Sequence, residues 1–208
     1  MAGNSFLHVA VAPPLLLLLL LLLLCSPDAA RSGKVSVGLY YEALCPYCAN
    51  FVVKHLAPLV ADDDLISVVD LHLSPWGNAK LSGDHNDTTT TFTCQHGPYE
   101  CLLNTVDACA IDAWPDLSAH FPFIHCVESL VSERKYPQWE SCFDALGLDS
   151  NLIADCYSGS RGIELELQYA AETEALVPPH QYVPWVVVDG QPLYDDYENL
   201  FKLHMQGL

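Results

Sequence analysis

Cys45-Pro46-Tyr47-Cys48 is the stretch whose residue types and spacing carry the most chemistry. A sulfur at the opening turn of a helix lies near unpaired backbone N–H groups and the positive end of the helix dipole. Both stabilise its thiolate and lower its pKa below the free value of about 8.5. An exposed Cys45 sulfur in that position is the attacking group. It captures one sulfur of a substrate disulfide, and Cys48, one turn further on, displaces the mixed disulfide and releases reduced substrate. Pro46 removes a backbone donor and suits the first helical turn, while Tyr47 adds bulk, so both tune the potential and the fit of a substrate. The spacing is also half of many zinc sites. A structural zinc needs a second close pair of Cys or His, and the remaining cysteine gaps are six residues or more, so no metal is expected. As a purely structural disulfide the pair closes a loop too small to constrain the unfolded chain much.

These sulfurs need a strand, a turn and a helix to hold them, and the neighbouring residues supply all three. Val35 to Tyr41 is β-rich; after Cys48, Phe51, Val52, Leu56, Leu59 and Val60 give one apolar helical face until Asp62-Asp63-Asp64 interrupts it. Leu65 to Leu73 reads as a buried strand closed by Ser74-Pro75-Trp76-Gly77, completing a β-α-β unit with parallel strands. Gly162 to Leu176 reads as a helix ended by Pro178-Pro179. Tyr182 to Leu193 then gives two strands about an Asp189-Gly190 turn, and Asp195 to His204 a closing helix. The fold class expected is α/β, a thioredoxin-like fold with a disulfide-rich, mainly helical insertion at about 77–160. That fold sets a cis-proline loop against the redox pair, which predicts a cis bond at Val183-Pro184. Residues 78–93, polar and Thr-rich, read as an irregular loop. Short helical patterns at 100–114 and 123–131 form little core unaided and need staples.

Cysteine usage and targeting point the same way. Leu15 to Leu24 is an unbroken leucine run that rises about 15 Å as a helix, half of a hydrocarbon core of about 30 Å. Residues 1–30 read as a signal peptide cleaved somewhere in 25–32, leaving a domain at 31–208 and no stable membrane anchor. Cys25 leaves with the signal. Eight cysteines remain, and six of them, Cys94, Cys101, Cys109, Cys126, Cys142 and Cys156, are expected in structural disulfides of an oxidising compartment; their 15 possible pairings stay open. Asn86-Asp87-Thr88 is a glycosylation sequon. Formal charge is -18, or -17 without Asp28, which disfavours nucleic acid and anionic membranes as partners.

The run from Cys94 to Cys109 is more distinctive than the first motif. Cys94-Gln95-His96-Gly97, then Glu100-Cys101, Asn104 and Cys109 resembles the signature of the gamma-interferon-inducible lysosomal thiol reductase family, with every specified position met. The resemblance implies reduction of protein disulfides by Cys45 and Cys48 in a lysosomal, vacuolar or extracellular setting, recharged by a small thiol or a protein reductant, with no cofactor. In contrast to the mammalian members, the chain ends at Leu208 with little room for a C-terminal propeptide. For Gln95, His96, Gly97, Glu100 and Asn104 two readings stand. In one, Gly97-Pro98 turns the chain and Glu100 caps or begins a helix; in the other, His96 faces the redox pair and shifts its pKa or transfers a proton. His55 and His72 lie in apolar-periodic elements and read as packed or surface residues. Two other functions compete: a secretory disulfide oxidase or isomerase, and a disulfide-stapled binding protein without catalysis.

Overall fold

The computed structural model describes residues 33–82 and 91–199, so the leucine run, Asn86 and the end of the expected closing helix lie outside the described residues. Among the described residues no helix is long and apolar enough to cross a membrane. A four-stranded sheet carries the site. Its order is β2 (Val69–Pro75), β1 (Val35–Tyr41), β5 (Trp185–Val188), β6 (Gln191–Pro192). β1 pairs with β2 in parallel and with β5 antiparallel, setting Leu39 between Leu73 and Val186. The two-residue period of a strand sends Val37, Leu39 and Tyr41 into one core, where each is at most 2% exposed. Asp189 and Gly190 both take positive φ in the β5–β6 turn, and the Asp189 carboxylate accepts the Ser36 N–H at 2.9 Å.

The helix after Cys45 is continuous but changes register. α1 (Pro46–Phe51) runs into a π-helical turn at Val52–Leu56, where the Ala57 N–H reaches back to the Val52 carbonyl, and then into α2 (Ala57–Ala61). Pro58 has no N–H for the carbonyl four residues back, and the wide turn ahead of it absorbs the mismatch. The extra residue keeps Phe51, Val52, Leu56 and Leu59 on one buried face despite their five-residue gap.

Three expected boundaries are corrected. The second strand begins at Val69 rather than Leu65, because the Asp62 carboxylate accepts the Asp64 and Leu65 N–H groups at 3.1 and 3.0 Å and starts α3 (Asp63–Ser67). The expected loop at 78–93 contains a hairpin, β3 (Lys80–Ser82) against β4 (Thr91–Thr93), which its β-branched threonines favour and which an edge contact of Phe92 with Trp76 anchors. The helical segment also has a core of its own. α4 (Pro98–Ala113) and α5 (Leu117–Ser132) each run 16 residues, α5 passing through Pro122 and starting six residues before the expected Phe123. With α6 (Ser141–Leu146), α7 (Ser150–Ser158) and α8 (Ser160–Glu174) they bury Leu103, Val106, Phe123, Val127, Ile153 and Leu165 together.

The six expected structural cysteines pair as Cys94–Cys101, Cys109–Cys156 and Cys126–Cys142. Cys109–Cys156 ties α4 to α7 across 47 residues, a loop whose closure is worth about 4 kcal/mol on a chain-entropy model.

Candidate functional site

Cys45 is the N-cap of α1, with extended backbone at φ -72° and ψ 121°, and Pro46 follows at the first helical position. The chain reaches this point through a turn in which the Cys45 N–H donates to the Glu42 carbonyl at 3.2 Å. Cys45 and Cys48 are the two free thiols among the described cysteines. The expectation of an exposed Cys45 is corrected: it is 4% exposed and Cys48 fully buried, because both pack in a cluster with Phe121, Ile124 and the edge of Val183. Tyr47, two residues on, is 69% exposed, so the Cys45 sulfur lies just beneath an accessible surface. Val183-Pro184 is cis, as expected, and Val177-Pro178 is cis as well, which nothing in the sequence had singled out.

The two thiols differ sharply in acidity. A hydrogen bond from the Cys48 thiol is the largest influence on Cys45; against the cost of burial, and with help from the Cys48 and Tyr47 N–H groups and the charge of His96, it pulls Cys45 from 9.0 to about 6. Burial pushes Cys48 well above the ordinary thiol range, and the interaction with Cys45 adds to this. The arrangement thus gives one sulfur ionised at mild pH and a second held as a thiol beneath it, the division of labour a two-step exchange requires.

The second motif meets the first here. Gly97, at φ 92°, is the N-cap of α4 and Pro98 its first residue, so the helix begins two residues before Glu100, which lies in its first turn. Glu100 turns back so that one carboxylate oxygen, Oε2, bonds the His96 ring at Nδ1 while the other, Oε1, accepts the His96 backbone N–H at 3.4 Å. Burial works against the His96 cation, but the Glu100 hydrogen bond and charge outweigh it, aided by Glu42 and Cys45, and raise its pKa. The signature thus builds the start of α4 and sets His96 where its charge helps lower the Cys45 pKa. Asn104, fully buried, accepts the Ala43 N–H at 2.8 Å and fastens α4 to the loop before the redox pair. Asn78 donates its backbone N–H to Glu42 at 2.8 Å and its side-chain amide to Gln95 at 3.0 Å.

Glu42, Asn78 and the buried acids Asp107 and Glu128 went unnoticed in the sequence. Asp107 accepts the Tyr41 hydroxyl at 2.8 Å, and Glu128, with neither carboxylate oxygen hydrogen-bonded among the described residues, lies close enough to raise the pKa of Cys48. Both fall on the apolar stripes of their helices, beside Val106 and Val127, and that placement was the available signal. His55 stacks on Phe51 and His72 pairs with Glu172 at 2.7 Å, so both are packing or surface residues.

Solved structures share this architecture. Chlamydia trachomatis DsbA superposes with a TM-score of 0.56 at 14% identity, covering 88% of this chain and 91% of that one. BdbD from Bacillus subtilis gives 0.58 at 11%, covering 87% and 89%. Fold and site thus define a protein of the thioredoxin-like class with a free Cys-x-x-Cys pair at a helix start.

Sequence comparison narrows the class. The model of the family described as gamma interferon inducible lysosomal thiol reductase (GILT) matches residues 36–146. A gamma-interferon-responsive lysosomal thiol protein of Arabidopsis thaliana is 45% identical over 178 residues, 86% of this chain and 71% of that protein. A gamma-interferon-inducible lysosomal thiol reductase of Mus musculus is 38% identical over 174 residues, 81% of this chain and 66% of that protein. The chain belongs to the GILT family and is a thiol-disulfide oxidoreductase.

Proposed function

We propose that this protein reduces disulfides of polypeptide substrates through Cys45 and Cys48, in an acidic compartment reached by the secretory pathway. The observation that carries the reading is the contrast at the start of α1: an N-cap thiol drawn down to about 6, directly over a buried thiol held protonated, while the other six described cysteines are paired. The Cys45 thiolate attacks one sulfur of a substrate disulfide; that S–S bond breaks, and the departing substrate sulfur takes a proton. Cys48 then loses its proton and attacks the Cys45 sulfur, expelling the second substrate thiolate. Two electrons pass to the substrate and a Cys45–Cys48 disulfide remains, which a small thiol or a protein reductant reopens. Tyr47 and the cis Val183-Pro184 edge border the place where a polypeptide would lie.

A thiol at about 6 keeps roughly a tenth of Cys45 ionised at pH 5, where an unperturbed thiol is almost wholly protonated. The acidic setting agrees with the lysosomal wording of both relatives' names, and the secretory route agrees with the leucine run read as a signal peptide over residues 1–30 and with the Asn86-Asp87-Thr88 sequon. Insulin reduction from pH 4.5 to 7 tests the assignment: wild type is active and Cys45→Ser inactive, whereas equal activity in the two removes Cys45 from the mechanism. A stabilised thiolate also favours the reduced pair, the basis of an oxidising direction. Equilibration against glutathione redox buffers decides between the two, and a potential as high as about -120 mV would mark an oxidant.

A further inference from the structure

Two buried carboxylates converge on one imidazole nitrogen at the base of the redox loop. His96 Nδ1 is hydrogen-bonded to Glu100 Oε2 and stands 3.4 Å from Glu42 Oε2. Both glutamates are fully buried, and a single Nδ1 proton satisfies one of them. The orphan is Glu42 Oε2, which is buried without a hydrogen-bond partner among the described residues while Oε1 takes the Asn78 N–H. Among the described residues, His96 is the only basic side chain paired with either carboxylate.

The surrounding turn holds Glu42 in this pose. Gly77 has φ +59°, and a Cβ there would lie 2.5 Å from Glu42 Cγ, so glycine is needed for the carboxylate to fit. Asn78, which fixes Oε1, is itself held by Gln95 at 3.0 Å and by His180 at 3.1 Å. Such outer partners are what orient ligands in metal sites.

The three donor atoms lie within 4.8 Å of one another. A tetrahedral ion with bonds of about 2.1 Å separates its ligands by about 3.4 Å. Glu42 Oε2 and His96 Nδ1 already stand at that spacing, and Glu100 reaches it by withdrawing from its hydrogen bond. The half-exposed His96 gives an ion a route from solvent. Magnesium and calcium call for six or more oxygens, which this cluster does not provide; one nitrogen and two carboxylate oxygens with an open fourth position suit zinc.

We infer that Glu42, His96 and Glu100 form a binding site for a divalent transition cation of the zinc type. Binding displaces the proton on His96 Nδ1 and joins both carboxylates to one ion, with no change of oxidation state. Cys45 lies three residues beyond Glu42, its N–H on the Glu42 carbonyl, and its sulfur is close enough to interact by charge with both Glu42 and His96, so its thiolate is the candidate for the fourth donor and is withdrawn from exchange while the ion is bound. That consequence rests on the reading of Cys45 as nucleophile; the binding itself does not.

The test uses the full chain with its three disulfides intact and both redox thiols removed by Cys45→Ser and Cys48→Ser. Zinc is titrated at pH 7 against a chromophoric chelator. One equivalent is expected to bind, and adding His96→Gln or, separately, Glu100→Gln is expected to weaken it by about tenfold or more. Circular dichroism identifies the folded variants, and the half-exposed His96 is the position that tolerates change. Absence of stoichiometric binding, or equal binding after His96→Gln, overturns the site, the latter because it marks zinc scattered over an acidic surface. In the thiol-containing protein, one equivalent of zinc should slow Cys45 alkylation, a chelator should restore it, and His96→Gln should lessen the effect. Binding without slowing overturns the inhibitory step and leaves the site standing.

Discussion

Cys48→Ala removes the donor that does most to make Cys45 acidic, whereas Cys48→Ser keeps a hydroxyl in its place. A hydrogen bond to a charged group is worth about 1.5–3 kcal/mol. Since about 1.4 kcal/mol corresponds to one pKa unit, alanine should move Cys45 from about 6 to roughly 7–8, and serine should move it less. At pH 5 that lowers the thiolate fraction about 10- to 100-fold. The more basic thiolate is the better nucleophile, and a Brønsted slope of about 0.4–0.5 returns roughly 3- to 10-fold. Alkylation of Cys45 in the alanine variant should therefore be about 3- to 10-fold slower than in wild type at pH 5. Near pH 8.5 ionisation no longer limits either protein and the order should invert, with alanine faster. Iodoacetamide rates from pH 4 to 9, with mass spectrometry to assign the label to Cys45, would show the two profiles crossing. Coincident midpoints in wild type and alanine variant, or a wild-type midpoint near 9, would refute the account of how this thiol is activated.

Two further outcomes follow from groups around the site. Asn104→Ala strips the buried Ala43 N–H of its acceptor, so urea unfolding should show a loss of about 1–3 kcal/mol at unchanged m-value, and an unmoved midpoint would mean the bond contributes nothing. Glu166, 1% exposed, is raised by burial from 4.5 to about 8, so between those values the folded state holds a proton that the unfolded state has lost. Its contribution to stability is present below about 4.5 and is lost as pH rises through about 8. The melting temperature should accordingly be higher at pH 5 than at pH 8, and Glu166→Gln should flatten the difference; a wild-type protein that gains stability over that interval contradicts this.

What the sequence made legible was chemistry carried by neighbours along the chain. The strand before Cys45, the helix opened by Pro46 and the Asp189-Gly190 turn are all specified within a few residues, and each stands where expected. The second strand was placed too early because four apolar residues in Leu65 to Val69 outweighed a capping aspartate three positions upstream. Pairing across distance was less visible. Glu42 and Glu100 are 58 positions apart and meet only because α4 packs beside the redox loop, where Asn104 and Asn78 fix their surroundings. Asp107, Glu128 and Glu166 were passed over because charged residues on helices are usually taken to face water, although their positions on the buried faces pointed inward.

Trapping the covalent intermediate tests the central claim most directly. Cys48→Ser is mixed at pH 5 with a disulfide-containing protein, quenched, and resolved without reductant. The account predicts an adduct joined through Cys45 that dissolves on reduction, and none in a Cys45→Ser, Cys48→Ser double variant. An adduct that persists in the double variant, or an active wild type whose Cys48→Ser form yields no Cys45 adduct, would contradict it.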